Sequence, residues 1–362
     1  MKRLYLTVTN DLLYDQRMDR ICTSLAKEYS VTLVGRRLPG SLPLAARPYR
    51  QKRLHCFVQK GMGFYIEYNT RLFFYLLFRR LDGICAIDLD TILPCFLVSV
   101  LTRAKRFYDA HELFTEMKEV RTRPRVRRFW LAIERFAVPR FRHCYTVGEG
   151  LAAEFQKRYG QPFGVIRNLA RLRTEMPDAS PVPFLLYQGA VNEARGFEQL
   201  IPAMRSIDCR LVICGDGNFM TRLRELIFEN GVGDKVELRG MLTPADLRTV
   251  TRQAFIGLNF TEPDGLNQYL CLPNKFFDYI QAGIPQITNA YPEYRSINDR
   301  FEVALLLDTL RPDSIAAAVR RLLTDTSLYE RLQSNALRAR LSLNWEQEEA
   351  ALLTIYRNAF AS

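Results

Sequence analysis

Short β-branched and aromatic runs alternate with longer helical patterns along this chain, and they do so twice. Nothing else in the sequence limits the possible folds as much. Residues 4–8, 31–35, 84–88, 106–110, 144–148 and 165–168 read as strands of a first series. Residues 184–189, 211–215, 236–240, 255–260, 286–288 and 303–308 read as strands of a second. The helical patterns between them are long enough to carry the chain back across a sheet, which predicts βαβ units and parallel pairing. The expected fold class is α/β, with two Rossmann-like doubly wound parallel-sheet domains facing a central cleft. Such sheets present ligand-binding groups beyond the carboxyl ends of their strands.

Length agrees, because 362 residues exceed one ordinary core and suit two. The pattern lapses over residues 171–183, which end in Asp178-Ala179-Ser180-Pro181-Val182-Pro183 and form the predicted linker. The expected division is a first domain over 1–170, a second over 183–340, and a C-terminal helix over 341–362 that packs back onto the first. In that helix Ala351, Leu352, Ile355, Tyr356 and Ala359 recur with a helical period.

A net charge of +12 predicts a surface that attracts anions, whether nucleic acid, acidic lipid or a phosphorylated substrate. With 48% hydrophobic and 25% charged residues, the chain has the composition of a folded globular protein. Its eight cysteines are dispersed and form no CxxC pair, so they read as reduced core thiols in a cytoplasmic protein. The longest apolar clusters, residues 72–78 and 92–101, fall short of the roughly 18 residues a membrane span needs.

Two segments of the second half carry chemistry. In Tyr187-Gln188-Gly189-Ala190-Val191-Asn192-Glu193-Ala194-Arg195-Gly196 the chain leaves a strand through Gly189 and enters a helix just after Arg195. A helix N-terminus with an arginine beside it suits a phosphate, although a surface arginine after a turn glycine reads the same way. In Leu272-Pro273-Asn274-Lys275-Phe276-Phe277-Asp278, proline opens a helix, Lys275 falls in its first turn and Asp278 one turn later. A first-turn lysine opposes the helix dipole unless an anion sits nearby. Asp278 is either an acceptor for ribose hydroxyls or a solvated helix acid.

These residues resemble the donor domain of family 4 glycosyltransferases, retaining nucleotide-sugar-dependent enzymes of the GT-B fold. In that family a strand-Gly loop carries Lys or Arg before a Gly, as Arg195 does, and a later helix supplies a carboxylate five residues before a glycine, as Asp278 precedes Gly283. The likeness extends to Cys214-Gly215-Asp216-Gly217, to Gly240-Met241-Leu242 and to Trp345. It implies a first domain that binds acceptor and a second that binds donor. Gly189, Gly217, Met241, Asn274 and Asp278 would hold the donor, with Arg195 and Lys275 on its diphosphate. The chain departs from the family in having Leu270 where the first of two glutamates stands and Ala190 where an arginine often follows the strand glycine. Asp264 and Asn267, with Glu262 and Gln268, are the candidates for the sugar contacts that Leu270 cannot make. Similar Asp-x-His-Glu segments in the family put a histidine near the donor sugar, which assigns that place to His111 of Tyr108-Asp109-Ala110-His111-Glu112. The resemblance implies no cofactor and no essential metal, the nucleoside-diphosphate sugar being a substrate.

Asn10-Asp11-Leu12-Leu13-Tyr14-Asp15-Gln16-Arg17 follows the first strand, and Asp11, Tyr14 and Gln16 are candidate acceptor or sugar contacts. Capping of the first helix by Asp11 or Asp15 is the alternative. Asp90 of Asp88-Leu89-Asp90-Thr91 reads as a helix N-cap. The segment bounded by Arg121 and Arg142 holds eight arginines against one acid, Glu134, with Val126, Phe129, Trp130, Ile133, Phe136 and Ala137 on one helical stripe. It reads either as a helix packed on the sheet or as one lying on an anionic membrane, a surface that Phe64, Tyr65 and residues 72–78 could extend. The expected activity is sugar transfer to a glycan or lipid-linked acceptor in bacterial surface-polysaccharide synthesis, in the cytoplasm or on the inner face of the plasma membrane. Two alternatives are a non-hydrolysing sugar-nucleotide epimerase and a basic nucleic-acid-binding protein. The chain shows no recognition helix or aromatic platform outside the arginine segment, so no nucleic-acid partner is expected.

Overall fold

The computed structural model describes residues 1–13, 15–178 and 182–361. Tyr14 and the Ala179-Ser180-Pro181 part of the predicted linker lie outside them. The chain forms two compact units, residues 1–168 with 348–362, and residues 169–347.

The strands of the first unit are β1 (Arg3–Thr7), β2 (Ser30–Arg37), β3 (Arg50–His55), β4 (Gly83–Ile87), β5 (Lys105–Ala110), β6 (His143–Thr146) and β7 (Phe163–Val165). They pair in parallel in the order β3-β2-β1-β4-β5-β6-β7. Its helices are α1 (Gln16–Leu25), α2 (Gly61–Leu77), α3 (Ile92–Thr102), α4 (Lys118–Arg121), α5 (Pro124–Ala137) and α6 (Glu149–Tyr159). The last strand begins at Phe163 and ends at Val165, so the expected strand over 165–168 starts two residues too late and ends three too late. Sequence reading missed β3 altogether: Arg-Gln-Lys-Arg-Leu-His has no apolar alternation, because an edge strand buries little more than Leu54.

The second unit contains β8 (Phe184–Gln188), β9 (Arg210–Cys214), β10 (Val236–Gly240), β11 (Ile256–Asn259), β12 (Gln286–Asn289) and β13 (Ala304–Leu307), all parallel, in the order β10-β9-β8-β11-β12-β13. Helices α7 (Phe197–Ala203), α8 (Met220–Glu229), α9 (Pro244–Gln253), α10 (Leu266–Tyr269), α11 (Asn274–Ala282), α12 (Pro292–Phe301), α13 (Pro312–Thr324) and α14 (Thr326–Ala339) cover it. Alternate residues of β8 enter different cores: Leu185 and Tyr187 join Phe197, Leu211 and Leu258, whereas Phe184 and Leu186 join Val212, Tyr279 and Ile284. A strand with period-two side chains and both faces buried must be apolar throughout, as β8 is.

The last helix, α15 (Trp345–Ala361), places Tyr356 on the first unit's core, where it stacks on Phe107 at 4.1 Å. In α5, Trp130, Ile133, Glu134 and Ala137 are buried, while Phe129 and Phe136 are exposed. The predicted apolar stripe therefore splits. Residues 130, 133, 134 and 137 share one face at 100° per residue, and 129 and 136 lie on its flank. Phe64, Leu72 and Leu76 of α2 are likewise buried and cannot extend an outer surface. Six of the cysteines are buried, Cys209 and Cys271 are partly exposed, and all are free thiols. No helix among the described residues is long and apolar enough to cross a membrane.

Candidate active site

In the second sheet the order of strands reverses between β8 and β11; Gly189 and Arg195 lie in the loop beyond β8, Gly217 and Met241 follow β9 and β10, and the segment beyond β11 leads to Asn274, Lys275 and Asp278 on α11. The loop after β8 turns at Gly189, whose φ of 108° favours glycine, and reaches Arg195 through Ala194, itself left-handed at φ 58°. Gly217 is held for close approach: a Cβ there would stand 2.2 Å from the Val191 carbonyl oxygen. The loop after β11 is tied to the first by the Glu262 amide, which donates to the Ala194 carbonyl at 3.0 Å. That bond brings the loop carrying Glu262, Asp264, Asn267 and Gln268 to the base of the Arg195 loop.

Helix α11 begins after Pro273 without a side-chain cap, and Lys275 lies in its first turn, only 9% exposed. The Lys275 ammonium has no hydrogen-bond partner. Its Nζ lies 3.7 Å from the centre of the Tyr187 ring, and that contact is its compensation. Burial pushes the Lys275 pKa well below the ordinary lysine value, and the positive charge of Arg195 adds to the shift. Arg195, half-buried, makes no hydrogen bond or ion pair with the described residues. Two cations thus stand near enough to repel at a helix N-terminus, neither ion-paired with any of the described residues, where the dipole already favours negative charge.

Asp278 is not the solvated helix acid of the alternative reading. It accepts from Arg173 at 3.3 Å and from the Gln188 side-chain amide at 3.2 Å, and Gln188 accepts in turn from Thr251 at 2.7 Å. Arg173 and Gln188 between them fix the orientation of the Asp278 carboxylate. Asn274 is exposed at the start of α11, and Met241, just beyond β10, is exposed as well. Leu270 is buried and brings no polar group to the loop.

In the first sheet the order reverses between β1 and β4, and a second polar cluster occupies that end. Asp88, beyond β4, has φ 58°, a left-handed conformation unusual for aspartate. It accepts from the His111 amide at 2.8 Å, and its carboxylate lies 3.3 Å from His111 Nδ1. His111 Nε2 lies 3.1 Å from Asp109 and 2.8 Å from Arg17 Nε. Arg17 also donates to Asp109 at 2.9 Å and to the Ile166 carbonyl at 3.0 Å. Burial and Arg17 oppose a charge on the imidazole, but two carboxylates outweigh them and push it up to about 10. Arg17 Nε asks Nε2 for a lone pair while the carboxylates ask for a proton; two negative charges against one positive decide the direction.

Asp90 is no N-cap. It is buried, accepts from the Thr9 hydroxyl at 2.6 Å, and is pushed up to about 7 by burial and then by Asp88. Asp11 also needs correction as a substrate contact: Arg53, Ser41 and the Leu13 amide occupy its carboxylate, which is held below the usual aspartate range. Asp15 caps α1 through the Met18 amide at 2.9 Å, and Gln16 is exposed on the first turn. Sequence reading missed Arg17. Its signal was a charge in line with Met18, Ile21, Cys22 and Leu25, the stripe that α1 buries. Among the described residues no group of three or more His, Cys, Asp or Glu side chains is arranged to hold a metal ion.

Comparison with known proteins bears on both units. Residues 172–339 match the family described as glycosyl transferases group 1. The chain is 26% identical over 279 residues, 74% of its length, to the lipopolysaccharide core biosynthesis glycosyltransferase LpsD of Rhizobium meliloti. Across the curated relatives it matches, the alignments span between 40% and 75% of their length. Among solved structures, sucrose-phosphate synthase from Thermosynechococcus elongatus superposes with a TM-score of 0.80 at 18% identity over 100% of both chains. Anabaena HepE in complex with UDP and glucose superposes with a TM-score of 0.74 at 14% identity, again over 100% of both.

Proposed function

We propose that this chain, which has the GT-B fold and whose residues 172–339 match the group 1 glycosyl transferases, is a glycosyltransferase that moves a sugar from a nucleoside diphosphate to an acceptor hydroxyl with retention. One observation carries this reading. Arg195 and the buried Lys275, which has no hydrogen-bond partner, come together at the start of α11 without an ion pair to any of the described residues. Leaving both cations unpaired there is unfavourable unless the normal occupant is strongly anionic, and a diphosphate is. That HepE was solved with UDP fits the same ligand class.

In the proposed reaction the bond from the anomeric carbon to the diphosphate oxygen breaks while a bond to the acceptor oxygen forms on the same face. The acceptor proton passes to the departing phosphate. Arg195, Lys275 and the amides at the start of α11 stabilise the charge that develops on the diphosphate, and no metal is required in this role. Asp278 accepts from the ribose hydroxyls, and the backbone from Gly240 to Met241 holds the base. Gly189, Gly217 and Asn274 line the donor, Asp264 and Asn267 meet the sugar hydroxyls, and His111 orients the sugar. The acceptor in this reading is a glycan or lipid-linked glycan of bacterial surface-polysaccharide assembly, which the name of the LpsD relative supports, and the protein works on the inner face of the plasma membrane.

A thermal-stability screen across nucleoside diphosphate sugars tests the donor class. A true donor at a hundred times its dissociation constant adds about 2.7 kcal/mol. No shift with any of them defeats the reading. For the site itself, Arg195→Ala is expected to lower kcat by about 10²–10³, and unchanged kinetics remove Arg195 from the donor site.

A further inference from the structure

On the first unit, α2, α3 and α5 adjoin. Tyr65 of α2 meets the Trp130 ring of α5 edge-on at 5.2 Å, and Phe96 of α3 meets Phe136 of α5 at 5.3 Å. Each helix turns apolar side chains outward. Ile66, Phe74 and Phe78 follow one another at multiples of four residues and so run in a line along α2, ending at Phe78, 79% exposed. Leu97, Val100 and Leu101 are exposed on α3, which carries no charged residue. Phe129 and Phe136 add the flank of α5. Single exposed apolar residues are ordinary, but rows of them on three adjoining helices mark an interaction surface.

Charge says what the surface meets. Arg125, Arg128, Arg135, Arg140 and Arg142 are exposed on or just after α5, and Arg79 and Arg80 follow α2. Most nearby acids are occupied: Glu134 is buried and bonded to Thr115, Glu116 is taken by Arg127 and Arg158, and Glu67 by Arg71 and by the Phe57 and Val58 amides, which leaves the exposed Glu119 of α4 against the arginines. We propose that this face docks the protein on an anionic lipid bilayer, with the phenylalanines and leucines entering the headgroup boundary and the arginines on the phosphates. This names the surface behind the peripheral location in the function proposed above. A second copy of the same face would bring arginine against arginine. A nucleic acid would answer the arginines but gain nothing from Leu97, Val100 and Leu101.

The test is flotation of the whole protein with phosphatidylcholine vesicles, with and without phosphatidylglycerol, in the absence of any sugar donor. Binding is expected only with phosphatidylglycerol and is expected to weaken as salt rises. Leu97→Ser with Leu101→Ser leaves the net charge unchanged and is expected to weaken binding at least about tenfold. Arg128→Ser with Arg135→Ser is expected to weaken it about thirtyfold. All four side chains are exposed, so the variants keep the wild-type melting temperature. Equal flotation with both vesicles, no flotation, or variants that float like the wild type would overturn the proposal. Tighter binding to oligonucleotide than to vesicles, unaffected by the serine pair at Leu97 and Leu101, would overturn it in favour of nucleic acid. Arg195→Ala is expected to float normally, which separates failure of docking from failure of donor binding.

Discussion

The two units place polar clusters at equivalent positions, beyond the reversal of strand order, and neutralise them in opposite ways. In the first unit His111, Arg17, Asp88 and Asp109 satisfy one another, and Arg17 and Asp109 form a buried ion pair at 2.9 Å. In the second unit neither Arg195 nor Lys275 has a hydrogen-bond or ion-pair partner among the described residues; Lys275 rests on the Tyr187 ring, and the two like charges repel. A self-paired cluster is a rigid fixture whose removal costs stability. A cluster left with uncompensated charge gives up stability so that a ligand can supply the missing partner. The contrast separates the residue that positions from the residues that bind.

The largest effect is expected where the paired cluster is broken. Arg17→Met leaves Asp109 buried without its arginine and should cost about 3–5 kcal/mol, read as a lowered urea midpoint. A midpoint equal to that of the wild type would mean that the cluster is not a structural unit. Lys275→Met should act in the reverse sense on stability. Met fills the space without a charge, so the melting temperature should rise, by about 0.5–2 kcal/mol in stability, while nucleoside-diphosphate affinity falls by about thirtyfold or more. If stability falls and affinity is retained, the unpaired-cation account is wrong.

Two smaller effects involve protons. The folded state holds Lys275 below its ordinary value of 10.5, so the unfolded chain keeps a proton that the folded one gives up, and stability rises with pH across that window. An anion beside Lys275 restores its charge. Donor binding should therefore take up a fraction of a proton and weaken as pH rises, which calorimetry in buffers of different ionisation enthalpy measures; zero uptake contradicts it. His111 has the opposite sign. Its folded value, about 10, lies above the ordinary 6.5, so its contribution to stability is complete below 6.5 and is lost as pH rises through 10. Its imidazole proton resonance should be flat from about pH 5.5 to 8, and a titration near 6.5 would dissolve the paired cluster.

Much of this was legible before any coordinates. All six strands of the second unit stand within a residue or two of where the sequence puts them, and the clearest, β8 and β9, are almost wholly apolar because both their faces are buried. Lys275 was legible as an oddity, a cation in a helix's first turn. Arg17 was overlooked because a single charge on an apolar stripe looks like noise until Asp109 and His111, some ninety residues away in sequence, are seen to meet it. Asp11 misled for the same reason: its partner is Arg53 of β3, the strand that has no sequence signature. Which apolar residues of α5 face outward was not legible, because Trp130 and Phe129 are equally apolar and only the neighbouring Tyr65 and Phe114 decide which one packs.

The sequence by itself determined the two alternating series of strands and helices, the glycine turns after β8 and β9, and which residue types stand at the carboxyl ends of the strands. Those features are local, set by side-chain periodicity and by backbone conformations that only certain residues tolerate. Tertiary structure decided which charges are cancelled. Whether Asp11, Asp278, Arg195 or Lys275 has a partner depends on residues brought from distant parts of the chain. An electrostatic interaction is governed by distance in space, which no spacing along the sequence records.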